Sequence, residues 1–250
     1  MRWLERLRPW VFPAVLLAIA EVVLRQRASD ALAPPSAALK SFVGLVADGS
    51  LLQATAFTLG SAALGLLVAT VLGVSIGVLL GLSRRAAAWS ELSVEMLRPV
   101  PSVALIPLAM LVFGFGLRME VAVVAFAAFW PMLLLTQAAV RQVDPRLLEV
   151  SRVLELGPWD RALKIVLPAC VPRLFVALRL GVAIALVVAV TVEIAANPNG
   201  MGYAMMIAQQ SLDPAQMLAW LGWIGVVGFA VNAGALALQQ RVARRMGAAP

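Results

Sequence analysis

"GSLLQATAFTLGSAALGLLVATVLGVSIGVLLGLS", Gly49 to Ser83, runs for thirty-five residues without a charge. A helix needs about 20 apolar residues to cross a bilayer core. This stretch is therefore read as a membrane-spanning helix, over roughly residues 54 to 82. Within it Ser61, Gly65, Ala69, Gly73, Gly77 and Gly81 recur every four residues. That spacing lays small side chains along one helix face. In lipid no hydrophobic effect drives helices together, so such a face marks where backbones approach closely. Gly65, Gly73, Gly77 and Gly81 are the expected packing positions; the neighbour is another helix of this chain or a second copy.

The same pattern recurs along the chain. Residues 99 to 117, 121 to 140, 180 to 192, 194 to 212 and 214 to 240 also lack charge. The sequence is 62% hydrophobic and 13% charged, with a mean hydropathy of +0.93. Repeated apolar runs of this length indicate helices rather than an outer-membrane barrel. The expected fold class is all-α, a polytopic membrane protein with about six spans near 10 to 26, 54 to 82, 95 to 116, 119 to 140, 172 to 196 and 216 to 240. Residues 1 to 250 are read as a single transmembrane domain.

Basic residues orient the spans. With the N-terminus inside, the inner segments collect Arg2, Arg6, Arg8, Arg84, Arg85, six from Arg141 to Arg173, and Arg241, Arg244 and Arg245, fourteen in all. The outer segments hold Arg25, Arg27, Lys40 and Arg118. The positive-inside rule then puts both termini in the cytoplasm. A net charge of +7 is accounted for by basic loops facing anionic lipid, without nucleic acid.

The first span has the layout of a signal peptide up to Ala18-Ile19-Ala20, but its apolar residues continue through Leu24, which favours a retained helix. Beyond it, residues 31 to 50 read as an amphipathic surface helix with Leu39, Phe42, Val43 and Val46 on one side. Pro107 and Pro131 interrupt the third and fourth spans. Broken helices are tolerated where protein or a water-filled cavity covers the freed carbonyls. With Glu193, an acid deep in an apolar run, and Asn197, where that run ends, they are candidates for a solute path. Glu193 reads equally as an interfacial residue.

Chemistry has little to work with here. Histidine is absent and Cys170 is the single cysteine, which excludes an internal disulfide and the commonest acid/base and metal ligand. No catalytic, cofactor-binding or metal site is expected. An intramembrane Ser-His hydrolase is impossible on this composition. An ion-coupled secondary transporter would be expected to show mid-membrane acids and repeated halves, and only Glu193 qualifies.

Charge instead gathers between residues 141 and 173, where ten of the charged residues fall. Asp144-Pro145 opens a short helix over about 145 to 156, Gly157-Pro158 closes it and opens a second to about 167, and Pro168 ends that. Gly157 is expected at positive φ. Leu147, Val150 and Leu154 share one face of the first helix. The hairpin is either a plug for a partner's groove or a helix resting on the inner leaflet.

"EVSRVLELGPWDRALKIVLP", Glu149 to Pro168, resembles the cytoplasmic signature of ABC importer permeases: Glu149, Val150 and Ser151, then Gly157, then Ile165, Leu167 and Pro168. Val150 stands where that family usually has alanine. "LRPVPSVALIPLAMLVFGFG" (Leu97 to Gly116), "VDPRLLEVSRVL" and the Gly200-x-Gly202-Tyr203 turn resemble the branch that imports nitrate, aliphatic sulfonates, taurine and related solutes. Ser61 stands where that branch commonly has arginine. The resemblance implies a type I ABC importer transmembrane fold in a bacterial plasma (inner) membrane, carrying a small solute delivered by an external solute-binding protein. It implies a second permease copy and a cytoplasmic ATPase dimer that binds ATP and Mg. Consistently, no GxxxxGK[ST] loop occurs, and Lys40 and Lys164 lie in no such context. Glu149, Val150, Ser151, Leu154, Gly157, Leu167 and Pro168 are implied to form the coupling helix that docks on the ATPase.

Overall fold

The computed structural model describes residues 2–26 and 32–245, with side chains from residue 11 onward. Arg27, counted above on the outer side, lies outside the described residues. Among these residues the protein is helical, with no strand. Its helices are α1 (Arg2–Gln26), α2 (Pro35–Ala47), α3 (Ser50–Leu82), α4 (Arg84–Leu97), α5 (Ile106–Phe113), α6 (Leu117–Arg141), α7 (Pro145–Val153), α8 (Pro158–Arg161), α9 (Leu167–Ala195), α10 (Gly200–Gln210) and α11 (Pro214–Arg245).

Four helical stretches among the described residues are long and apolar enough to cross a membrane: Ser50–Leu82, Leu117–Arg141, the run Pro158–Gln210 with a turn between Ala195 and Gly200, and Pro214–Arg245. The third expected span needs correction. Residues 84–97 and 102–113 form two pieces bent by 86°, joined through a 3-10 turn at Ser102–Leu105. Pro99 and Pro101 supply no N–H to continue the α4 ladder, and Pro101 is extended at φ −63°, ψ 121°. Among the described residues the bent pair is a fifth candidate span, while α1 packs against α2 with Phe12, Leu17 and Val22 exposed.

The ridge of small residues on α3 lies against α6. A Cβ on Gly65 would come 2.5 Å from Val124 Cγ1, on Gly73 2.6 Å from Met132 Cβ, on Gly77 2.7 Å from Thr136 Cβ, and on Gly81 2.5 Å from Val140 Cβ. Each glycine therefore lets one turn of α3 touch the backbone level of α6. α9 completes a three-helix centre with α3 and α6. Its core is Val123, Val124, Met119, Ala185, Ala189 and Val192.

Local signals explain the ends. Asp48 accepts the Ser50 N–H (2.9 Å) and Gly49 takes φ +76°, starting α3 several residues before the expected boundary. Ser50 hydrogen bonds hold the Asp48 carboxyl below the usual carboxylate range. Ser83 caps α4 by accepting the Ala86 N–H. On α2, Phe42 does not join the ridge assigned to it. It turns inward onto the Trp223 ring, 5.6 Å between centroids, while Leu39, Val43 and Val46 stay exposed.

Candidate functional site

Two regions carry polar chemistry, one at each end of the bundle. At the end that carries α7 and α8, the Asp144 carboxylate accepts the Arg146 N–H (2.9 Å) and Pro145 opens α7. α7 closes after Val153 rather than near residue 156. Leu156 N–H donates to Ser151 O (3.0 Å) and Glu155 N–H to Arg152 O (3.0 Å), the paired bonds of a Schellman turn. The left-handed residue of that turn is Glu155, at φ 51°. Gly157, expected there, is extended at φ −61°, ψ 166° and caps α8, with nothing within 4 Å of a Cβ. Glycine is thus not required for the reversal; the turn falls on the residue two positions earlier.

Pro168 also departs from expectation, since it does not end a helix. α8 runs through a π turn at Ala162–Val166 into α9, and Pro168 falls in the first turn of α9, directly after the π turn, where its missing N–H interrupts the ladder without ending the helix. Ser151 is fully buried and donates to Leu148 O (2.6 Å). Beneath α7 lie Val140, Val143, Val166 and Cys170, with Leu148 against them. Leu147, Val150, Val153 and Leu154 point away from this layer and are exposed, joined by Trp159 and Leu163. Glu149 and Gly157 are exposed on the same segment, Leu167 is half-buried and Pro168 exposed. Seated on the ends of α6 and α9, this segment presents an apolar ridge that no other part of the chain covers.

At the opposite end is a buried polar network, of which the sequence reading singled out Glu193, Asn197 and, for other reasons, Ser61. Thr58, Ser61, Glu120 and Glu193 are 0% exposed and Asn197 1%. Thr58 Oγ1 donates to Glu193 Oε1 (2.6 Å) and accepts the Met201 N–H (3.0 Å); Glu193 Oε2 accepts the Gly202 N–H (2.8 Å). Ser61 Oγ and Asn197 Nδ2 donate to the two oxygens of Glu120. Glu193 is thus buried within the protein, with each carboxylate oxygen hydrogen bonded, near the end of α9. Glu120 was missed because it borders a run that begins at residue 121, where an acid looks interfacial. Ser61, the departure from the branch pattern, is the residue that meets it. Of the other path candidates, Pro131 is half-buried inside α6 and Pro107 exposed on α5; neither joins this network.

A cavity of about 790 Å³ opens between α3, α4, α6 and α7, at the end of the bundle that carries α7. Arg84, Arg98, Arg141, Glu91, Glu95 and Gln137 are among its lining residues. Among the described residues no group of His, Cys, Asp and Glu could hold a metal ion.

Comparison with known proteins places these features in context. Residues 69–248 match the family model described as "Binding-protein-dependent transport system inner membrane component". A permease protein of Bacillus subtilis (strain 168) named for aliphatic sulfonates transport, SsuC, is 34% identical over 90% of this chain and 82% of its own length. The taurine transport system permease protein TauC of Escherichia coli (strain K12) is 26% identical over 84% and 78%. Among solved structures, an inward facing form of the MetNI methionine ABC transporter has a TM-score of 0.67 at 19% identity, over 77% of this chain and 96% of that one. An amino acid ABC transporter gives a TM-score of 0.64 at 17% identity, over 82% and 98%.

Proposed function

The chain belongs to the family of binding-protein-dependent transport system inner membrane components, and we propose that its cargo is a small oxyanion of the sulfonate class. It is a multi-pass permease subunit of an ABC importer, with ATP hydrolysis in a separate chain and solute delivered by a binding protein. The observation that carries the cargo reading is the 34% identity to the sulfonate-named permease over 90% of the chain. The taurine, nitrate and bicarbonate names of other relatives share the same chemistry, a compact oxyanion. Three guanidiniums on the coupling-side cavity, Arg84, Arg98 and Arg141, suit such a cargo on its way out. Ser61 in place of arginine does not count against it, because the adjacent Glu120 would neutralise a cation there.

The exposed ridge of Leu147, Val150, Val153 and Leu154, together with Glu149, docks on the ATPase, which binds ATP and Mg²⁺. A buried inner face and an unpartnered outer face on one short segment support that role. Both termini lie in the cytoplasm, the placement that puts fourteen basic residues inside. The permease pairs with a second copy of itself. The test is uptake into proteoliposomes holding the permease, its ATPase and its loaded receptor. ATP-dependent uptake of methanesulfonate or taurine, with the free sulfonate competing, is expected. Uptake that survives ATP depletion and collapses with the proton gradient would instead make the chain a secondary transporter.

A further inference from the structure

The two acids of the buried network are unexplained by docking or by cargo. They lie at the end of the bundle away from the coupling segment, the outer end in the orientation proposed above. Each ties elements that are far apart in sequence. Glu193, near the end of α9, receives the α10 backbone through Gly202 N–H and the α3 hydroxyl of Thr58, which also accepts the next α10 amide, that of Met201. Glu193 therefore serves as the N-terminal cap of α10, a helix whose own preceding residue Asn199 makes no side-chain cap. Glu120 joins α6 to α3 through Ser61 and to the α9–α10 turn through Asn197.

Backbone chemistry fits the acid closely. Gly200 sits at φ +92°, and a Cβ there would overlap the Glu193 carboxylate. Gly202 has Glu193 Cβ 2.9 Å from where its own Cβ would lie, and the Val190 carbonyl closer still. The Gly200-x-Gly202 pair thus leaves room for Glu193 to reach the α10 amides. Thr55 extends the seat: it accepts the Trp223 indole N–H (2.8 Å) and touches the Met201 sulfur (3.6 Å).

We propose that Glu120 and Glu193 are positioning residues for transport: they seat α10 on α3, α6 and α9 as a fixed outer cap, so the four helices move as one unit when the permease switches. The buried bonds make relative movement of α10 costly, because each would leave a desolvated polar group unmet.

Two measurements on the reconstituted permease–ATPase complex with loaded receptor test this, in a Cys170→Ala background. Glu193→Gln keeps an oxygen for Gly202 N–H and an amide to donate to Thr58, so uptake per complex should stay within about twofold. Glu193→Asp and Glu120→Asp draw the carboxylate back by one methylene and break the seat. Uptake per assembled complex should then fall about tenfold or more, the factor expected for a lost bond to a buried carboxylate, while basal ATP hydrolysis persists without stimulation by the receptor. Wild-type uptake per complex in both Asp variants, with only the yield of complex lowered, would reduce the pair to packing and overturn the proposal. Equal loss in the Gln and Asp variants would overturn it too, by making the acid itself the requirement.

A Thr55→Cys/Met201→Cys disulfide between α3 and α10 should leave uptake unchanged. Uptake abolished by the disulfide and restored by reductant would show that α10 moves against α3. The inference rests on the importer reading, whose failure is distinguishable: the wild-type complex would then show no ATP-dependent uptake. Likewise, labelling of α10 from the cytoplasmic side would refute the outer placement while leaving the seat itself to these variants.

Discussion

Gly77→Leu should separate α3 from α6, and the structure sets the scale. A Cβ at position 77 would lie 2.7 Å from Thr136 Cβ and 2.8 Å from Leu133 O. Non-bonded carbons settle at about 3.5 to 4.0 Å, so alanine alone demands a displacement of about 1 Å. Neither obstacle is a flexible tip: one is a Cβ fixed to its backbone, the other a carbonyl of α6. The helices must move apart, and the separation reaches Gly73 and Gly81, which sit on the same line against Met132 and Val140. Overpacking of this kind costs about 1 to 3 kcal/mol, and leucine, with three more carbons, belongs at the upper end. At about 2 to 4 °C per kcal/mol for a chain of this size, the detergent-solubilised permease should melt about 6 to 12 °C lower. Fluorescence-detected size exclusion after a temperature series reads this directly, with ATPase co-elution as the assembly check. Gly60→Leu is the control, since nothing lies within 4 Å of a Cβ there. Equal melting of Gly77→Leu, Gly60→Leu and wild type would refute the close-packing argument.

Other outcomes follow from the coupling segment and the topology. Gly157→Val should leave the fold within about 0.5 kcal/mol, as for a surface change away from special features, and ATPase co-purification intact, because the residue is extended and open; strong loss of folded protein would contradict that. Glu155→Val forces a β-branched residue into the left-handed region at a cost of about 1 to 2 kcal/mol, and should weaken ATPase association where Glu155→Gly does not. The reverse order in a pull-down would remove the Schellman turn from the account. Single cysteines at Arg85 and Leu156 should be labelled from the cytoplasm and those at Lys40 and Asn199 from outside, with Cys170 replaced. Labelling of Leu156 from outside would end the docking assignment.

Uncharged runs, prolines and caps act through the nearest few residues, so much of the frame was legible in the chain itself: a helical membrane protein, the start of α7 at Asp144-Pro145, and the α3 face built for close approach. Hydropathy and a missing N–H need no partner to take effect. The break in the α4–α5 segment was half legible, since Pro99 and Pro101 mark it while its 86° angle depends on neighbours. Tertiary structure alone decided which helix fills the glycine face, because small residues every four positions describe a contact without naming α6. Likewise, the chain reverses at Glu155 rather than Gly157 where buried Ser151 fixes the end of α7, and no local preference for glycine could foresee that. Glu120 is the clearest case. Its meaning comes from Ser61, 59 residues before it, and Asn197, 77 residues after it, and an acid at the edge of an apolar run carries no local sign that two donors will be folded onto it.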